Sequence, residues 1–324
     1  MRIDLSSFLQ LKFNVFIYRH LGWKTVFIYI IILGKLYFFF NRKESEKVKG
    51  AVKTIFADRK TESEFNTITK SVFRGIISHY FEKIFNTHEN ILGLKNFFDN
   101  NIEASSMYKL NNALRKGKGL LFVTGHYGGI EYIPIFLALN SYPISVIAKF
   151  ATKELKNTLY SKTKDIGLKI IDAGQKNNIL GSIIHELKAN RIVFIECDEI
   201  EEWKPSQMER TFFLGKLIGV DRTINLIQRR TGAEIIFGIL HRFNLQEYSL
   251  IMEDFQDMLL RFDKPPSSIG EAVLKTFEQY VYTYPEEWYQ WKNYAEIKPL
   301  STSNIRVEKI EPALLLEPVL GQIY

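Results

Sequence analysis

The 324-residue chain has a single cysteine, Cys197. No intrachain disulfide can form, and a zinc finger built on cysteines is excluded. A reducing compartment fits this composition. Several short motifs are also missing. There is no G-x-x-x-x-G-K-[ST] phosphate loop, no G-x-G-x-x-G fingerprint and no Gly-x-Ser-x-Gly elbow. Nucleotide binding by those loops and ordinary serine hydrolysis are therefore not expected. His185-Glu186 opens like a zincin helix, but position 189 is alanine, so that metal pair fails. No internal repeat, no low-complexity tract and no linker rich in Pro, Gly or Ser divides the chain.

What is present points to a folded chain with a basic surface. It is 46% hydrophobic, 14% aromatic and 24% charged, which excludes a disordered or collagen-like protein. The length supports one large domain or two modest ones with a sizeable core. A formal charge of +7 suits a phospholipid surface, an acidic carrier protein or a phosphorylated substrate. It gives no reason to expect a nucleic-acid partner.

From Thr25 to Asn41 the only charge is Lys35, and residues 26–33 are wholly apolar. A membrane span wants ~20 apolar residues, so a tilted span, an interfacial helix and a buried core helix all compete here. No Ala-x-Ala-like site follows, which argues against a signal peptide. Between residues 41 and 60 stand seven basic residues (Arg42, Lys43, Lys47, Lys49, Lys53, Arg59, Lys60) and three acidic ones (Glu44, Glu46, Asp58). That excess predicts that the rest of the chain stays on the cytoplasmic side of a membrane, or that these charges rest on anionic headgroups. The expected organisation is a hydrophobic anchoring segment over 1–44, a helical region over 45–115, an α/β domain over 116–295 and a tail over 296–324.

The pattern within these regions changes period. Phe65, Ile68, Val72, Ile76, Tyr80 and Ile84 recur at three and four, giving the apolar stripe of a helix. Beyond Lys118, short apolar runs at 119–125, 144–150, 169–172, 191–198, 233–240 and 248–255 read as strands. Helices are expected between them at 130–140, 153–166, 177–190 and 222–231, and a last one at 268–284. Gly232 is the expected C-cap of the helix over 222–231. Alternating strands and helices predict an α/β fold, with a central, mostly parallel sheet flanked by helices.

One segment concentrates chemistry: Thr124-Gly125-His126-Tyr127-Gly128-Gly129-Ile130-Glu131. A buried strand delivers a histidine to its carboxyl end, where such sheets bind ligands. Glu131, five residues on at a helix start, is expected to fix the tautomer of His126 and leave its other nitrogen free to take a proton. The amides near Gly128 and Gly129 are candidate oxyanion donors. Asp198 ends another buried strand, where a charge needs a partner; it is expected either to pair with Arg222 or Lys149 as scaffold or to bind substrate by orienting the acceptor. Arg222 at a helix start opposes the dipole and is expected to bind an anion, a role Lys149 can share. Trp288 and Trp291 read as core or interface anchors rather than site residues. Cys197 is expected to be a buried hydrophobe.

In this order and spacing, four segments resemble the bacterial lipid A biosynthesis (late) acyltransferases, within the lysophospholipid acyltransferase superfamily. They are the H-x4-E motif at His126–Glu131, Phe212-Phe213-Leu214-Gly215, the run Asp221-Arg222-Thr223 to Gln228-Arg229-Arg230-Thr231-Gly232-Ala233, and Pro285-Glu286-Glu287-Trp288-Tyr289-Gln290-Trp291. The resemblance covers roughly residues 15 to 295. It implies transfer of a fatty acyl chain from acyl carrier protein or acyl-CoA to a hydroxyl of a lipid or glycolipid at a membrane, with no metal or cofactor. Two departures bear on the acceptor. Lys149 stands where the family usually has arginine and loses the bidentate fork. Asp198-Glu199, followed by Glu201-Glu202, replaces the family's Asp-Gln; such an acidic entrance opposes a phosphorylated sugar lipid. A non-catalytic membrane-surface lipid-binding scaffold and a thioesterase on the same fold are the rival expectations.

Overall fold

The computed structural model describes residues 16–300, except 19, 21, 57, 59, 151–152 and 175–177 and the side chains of 154–155. Residues 1–15 of the expected anchoring segment, Arg59 of the basic stretch and nearly all of the expected tail lie outside the described residues.

Helices come first: α1 (Trp23–Phe40), α2 (Arg42–Phe56), α3 (Glu62–His88) and α4 (Ile91–Asn101). The long α3 starts at a capping box in which the Thr61 hydroxyl accepts from the Glu64 amide and the Glu64 carboxylate accepts from the Thr61 amide. A two-residue strand β1 (Ile102–Glu103) and α5 (Tyr108–Arg115) lead into the α/β part. There follow β2 (Leu120–Thr124), α6 (Ile133–Leu139), β3 (Ile144–Ala148), α7 (Lys153–Thr163), β4 (Lys169–Asp172), α8 (Ile179–Lys188) and β5 (Ile192–Glu196). The chain continues through β6 (Pro205–Phe213), β7 (Lys216–Asp221), α9 (Arg222–Thr231), β8 (Glu234–Asn244), β9 (Glu247–Asp254), α10 (Phe255–Leu260) and α11 (Ile269–Thr283).

Seven strands form one sheet in the order β1-β9-β8-β2-β5-β3-β4, with every pairing parallel except β8 with β9. All five residues of β2 are buried, because helices cover both faces of a parallel sheet. Glycine-capped α9 has the expected bounds, with Gly232 at φ 67° as its left-handed stop. The expected helix over 130–140 starts instead with a 3₁₀ turn at Ile130–Tyr132. The antiparallel hairpin β6–β7, outside the main sheet, and the short α10 were not expected from the sequence.

One contiguous apolar cluster links the N-terminal helices to the sheet and to Trp288 and Trp291. Helix α1 contributes one face to it. Along α3 it packs Phe27 on Phe81, with ring centroids 5.2 Å apart, and Phe38 on Phe73, at 4.8 Å. Gly34 lies against Ile77, where a β-carbon would sit 2.6 Å from that side chain. From Ile28 onward the opposite face of α1 is bare and, apart from the exposed Lys35, apolar: Ile28, Ile32, Leu36, Phe39 and Phe40 are exposed. By length and composition alone, α1 could cross a membrane.

Candidate active site

The carboxyl ends of β2 and β5 lie side by side, with Thr124 in register with Glu196. Connections leaving these neighbours run in opposite directions across the sheet, β2 toward β3 and β5 toward β8. That arrangement opens a crevice at the strand ends. The Cys197 amide donates to the Thr124 carbonyl at 2.7 Å and ties the two ends together. His126 follows β2, and Glu196, Asp198 and Glu199 end or follow β5.

Asp198 is buried at 1% exposure, and its oxygens meet three N–H donors of known position. The His126 backbone amide donates to Oδ1 at 2.9 Å and Oδ2 at 3.1 Å. The His126 ring nitrogen Nδ1 lies 2.9 Å from Oδ1. The Trp288 indole Nε1 donates to Oδ2 at 2.8 Å. A carboxylate so supplied fixes the imidazole tautomer with the proton on Nδ1. Nε2 then faces Glu199 Oε1 at 3.2 Å and Glu196 Oε2 at 3.6 Å. Burial by itself disfavours the imidazolium. The carboxylates of Asp198 and Glu196, with hydrogen bonds to Asp198 and Glu199, outweigh it and hold His126 well above the ordinary histidine range. Burial first, then the charges of Glu199 and Asp198, push Glu196 up to about 7 although His126 pulls it down. Glu199 is lowered, chiefly by its hydrogen bond to His126.

Glu131 stands elsewhere. The 3₁₀ turn at Ile130–Tyr132 directs its carboxylate toward α3, with Oε1 3.7 Å from His79 Nε2 and 3.6 Å from Lys83 Nζ. The expected bond from Glu131 to His126 is replaced by the one from Asp198. Burial, then the charge of Lys83, pushes His79 well below the ordinary histidine range. His79 stacks on Tyr289 at 3.4 Å between centroids, and the Tyr289 amide donates to the His126 carbonyl at 3.2 Å.

The two glycines are spoken for. The Gly128 amide donates to the Glu287 carbonyl at 2.9 Å and the Gly129 amide to the Leu240 carbonyl at 2.8 Å, so neither is free to hold an oxyanion. Gly128 is needed for its turn, since φ is +56° and a β-carbon would lie 2.1 Å from the Leu240 carbonyl oxygen. Arg242 braces the same turn. Its Nη2 donates to the Gly128 carbonyl at 3.0 Å and to Glu82 Oε2 at 3.1 Å, and its amide donates to Glu287 Oε2 at 3.0 Å.

His126 opens onto a cavity of about 1260 Å³. Single-ligand sites run to about 1,000 Å³, so this one has room for more than one substrate. Its apolar lining includes Ile135, Val146, Leu168, Ile183, Phe194 and Ile227; its charged lining is mixed, with Lys149, Lys204, Arg222 and Arg229 among the cations and Glu199, Glu201, Glu202 and Glu209 among the carboxylates. Lys149 and Arg222 thus share the cavity with His126. They do not pair with Asp198, which lies behind the imidazole. Arg222 Nε donates to the Lys204 carbonyl at 3.3 Å, on an exposed side chain. Cys197 is buried and its thiol is pushed well up by burial and by Asp198, so it is no nucleophile at neutral pH. The Asp198–Trp288 bond, Glu196 and His79 were not anticipated. The only signal for Trp288 was its place in the closing Pro-x-x-W motif, read there as packing.

The family model described as bacterial lipid A biosynthesis acyltransferase matches residues 10–293. No curated protein matches the chain. A match over that span shows the family: the chain belongs to the bacterial lipid A biosynthesis acyltransferases.

Proposed function

We propose that the protein transfers a fatty acyl chain from an acyl-thioester, on acyl carrier protein or coenzyme A, to a hydroxyl of a lipid or glycolipid at the cytoplasmic face of an inner membrane. Displacement of Glu199 by the acceptor removes a contact that favours the imidazolium, and the neutral ring then takes the hydroxyl proton on Nε2 as the acceptor oxygen attacks the thioester carbonyl. The C–S bond then breaks, and the imidazolium returns the proton to the leaving thiolate. Asp198 holds the tautomer and stabilises the cation. Lys149, in the cavity lining, is the candidate to hold the oxyanion. The acceptor hydroxyl takes the Nε2 face now met by Glu199, whose side chain is 46% exposed and free to swing aside. Arg222 and its basic neighbours take the anionic parts of donor or acceptor.

The observation that carries this reading is the buried Asp198–His126 pair opening onto a cavity whose lining holds both apolar side chains and charges of both signs. An acyl chain needs the apolar side chains, and Lys149, Arg222 and Arg229 are the cations at hand for the phosphate of a carrier. Attachment follows from α1, which packs along α3 on one face and bares an apolar stripe on the other. A helix held along its length by its own domain lies in the interface more readily than it spans. Residues 1–44 are assigned to this anchor, 45–115 to the helical support, 116–295 to catalysis and 296–324 to a tail. The test incubates the full chain with acyl-thioester, with and without membrane lipid. Thiol release that needs both lipid and His126 supports acyl transfer. Release without lipid would make the protein a thioesterase, and no release a lipid-binding scaffold.

A further inference from the structure

Outside the proton transfer just described, the Nε2 face of His126 has a second chemistry. We propose that His126, Glu196 and Glu199 form a binding site for a divalent ion of zinc type, whose occupation switches the base off. Each residue offers one donor atom, and the three lie within 4.8 Å of one another. Nε2 is 3.2 Å from the Glu199 oxygen and 3.6 Å from the Glu196 oxygen. Zinc holds nitrogen and oxygen ligands at about 2.0–2.2 Å in tetrahedral geometry, which sets neighbouring donors about 3.3–3.5 Å apart. Both distances from Nε2 match that spacing to a few tenths of an ångström, and the two carboxylate donors, within 4.8 Å of each other, close the third edge by side-chain rotation.

A separate feature points the same way. A metal-bound histidine characteristically gives its other ring nitrogen to a carboxylate, which fixes the tautomer and raises the basicity of the ligand. Asp198 stands at that place, 2.9 Å from Nδ1 and buried. Glu196 ends β5 in register with Thr124 of β2, and His126 and Glu199 follow within three residues of those paired strand ends, so the sheet brings the donors together. Three carboxylates, Glu196, Asp198 and Glu199, surround one imidazole, an excess of negative charge that a divalent ion neutralises. One imidazole with carboxylates suits zinc or manganese better than magnesium, which keeps to oxygen ligands and water. The fourth position faces the cavity.

The regulatory consequence rests on the proposed acyl transfer. A metal on Nε2 takes the lone pair that must accept the hydroxyl proton, so ion and acceptor compete for one face. The binding itself needs no substrate and is measured without one. Full-length protein in detergent, stripped with chelator, is titrated with zinc chloride by calorimetry, and its X-ray absorption is recorded. One ion per chain is expected, with a nitrogen-and-oxygen shell at about 2.0–2.2 Å. Glu196→Gln with Glu199→Gln should abolish binding, and Asp198→Asn should weaken it by about 10–100-fold. If the double variant does not fold, Glu199→Ala alone, at a half-exposed side chain, should weaken binding at least about tenfold. No stoichiometric binding by the wild type, or unchanged binding in these variants, overturns the site. Saturating zinc should stop thiol release and chelator restore it; full turnover with the ion bound overturns the switch. If no acyl transfer is seen under any condition while zinc still binds, the functional reading falls and the metal site stands.

Discussion

Asp198→Asn isolates the orienting bond from everything else in the site. Asparagine has the size of aspartate, so packing against Trp288 is kept. To keep the Trp288 bond its oxygen takes the Oδ2 place, where it accepts from the Trp288 indole at 2.8 Å and the His126 amide at 3.1 Å. The remaining terminus becomes NH₂, a donor. Facing His126 Nδ1, it demands an acceptor there and moves the ring proton to Nε2. Nε2 then has no lone pair for the acceptor hydroxyl. General-base catalysis is worth ~10²–10⁴-fold, or ~2.7–5.4 kcal/mol of barrier at ~1.36 kcal/mol per tenfold, and kcat should fall by about that factor. The KM for acyl-thioester should hardly move, because Asp198 does not face the cavity. His126→Ala should cost about the same, and the double variant little more, since both act on one proton transfer. Glu131→Gln provides the contrast. Its carboxylate meets His79 and Lys83, so kcat should drop by less than about tenfold, the worth of a weakened, half-exposed ion pair. The assay is steady-state thiol release with a lipid acceptor, on variants of matched melting temperature. Asp198→Asn within tenfold of wild type, with Glu131→Gln down a hundredfold or more, would refute the argument. Glu131 would then be the group that orients the ring.

Arg222→Ala should weaken acceptor use by about tenfold or more while sparing donor hydrolysis, as loss of a charge-assisted hydrogen bond of ~1.5–3 kcal/mol implies. Equal loss of both activities would assign Arg222 to the fold. Breaking the buried Arg242–Glu82 pair by Arg242→Met should cost ~3–5 kcal/mol, seen as a large drop in the denaturant midpoint, because buried Glu82 loses its counter-charge and keeps the Tyr248 hydroxyl as its remaining donor. A midpoint within 1 kcal/mol of wild type would show that water reaches the pair. Ile28→Glu with Ile32→Glu, at side chains 59% and 51% exposed, should abolish flotation with anionic vesicles and leave melting unchanged. Unaltered flotation would move the attachment surface away from α1. Cys197→Ala should keep turnover within a few-fold, as a covalent acyl-cysteine would not.

The elements that could be read from sequence are those whose period is local. The all-apolar run of β2 and the glycine stop of α9 announce themselves within a few residues. The β6–β7 hairpin does not, because Gln207, Glu209 and Arg210 interrupt any apolar run and its twofold alternation is weak. In the site, His126 was legible from its setting: an apolar strand, a histidine and two glycines. Its partner was not, since Asp198 lies 72 residues away and the pairing is a property of adjacent strand ends. Glu131 drew attention by nearness in sequence, yet one 3₁₀ turn directs it to another helix. The glycine amides were expected to be free because sequence cannot show that Leu240 and Glu287 supply carbonyls against them. Trp288 was legible as a buried ring, but not as a donor, because the indole N–H matters only once Asp198 is beside it.

Trp288 reaches Asp198 across 90 residues of chain, and the next residue, Tyr289, closes on His126 from the same side. This gives the molecule a birth order. During synthesis α1 is the first of these parts to leave the ribosome, while the indole that pins the aspartate comes long after both halves of the pair. On the proposed function, a nascent chain can therefore settle on the bilayer before it owns a competent base. By the same proposal, acyl-thioester would meet no working site on unfinished chains, and a protein cut short before Trp288 would occupy the membrane without turning over its donor.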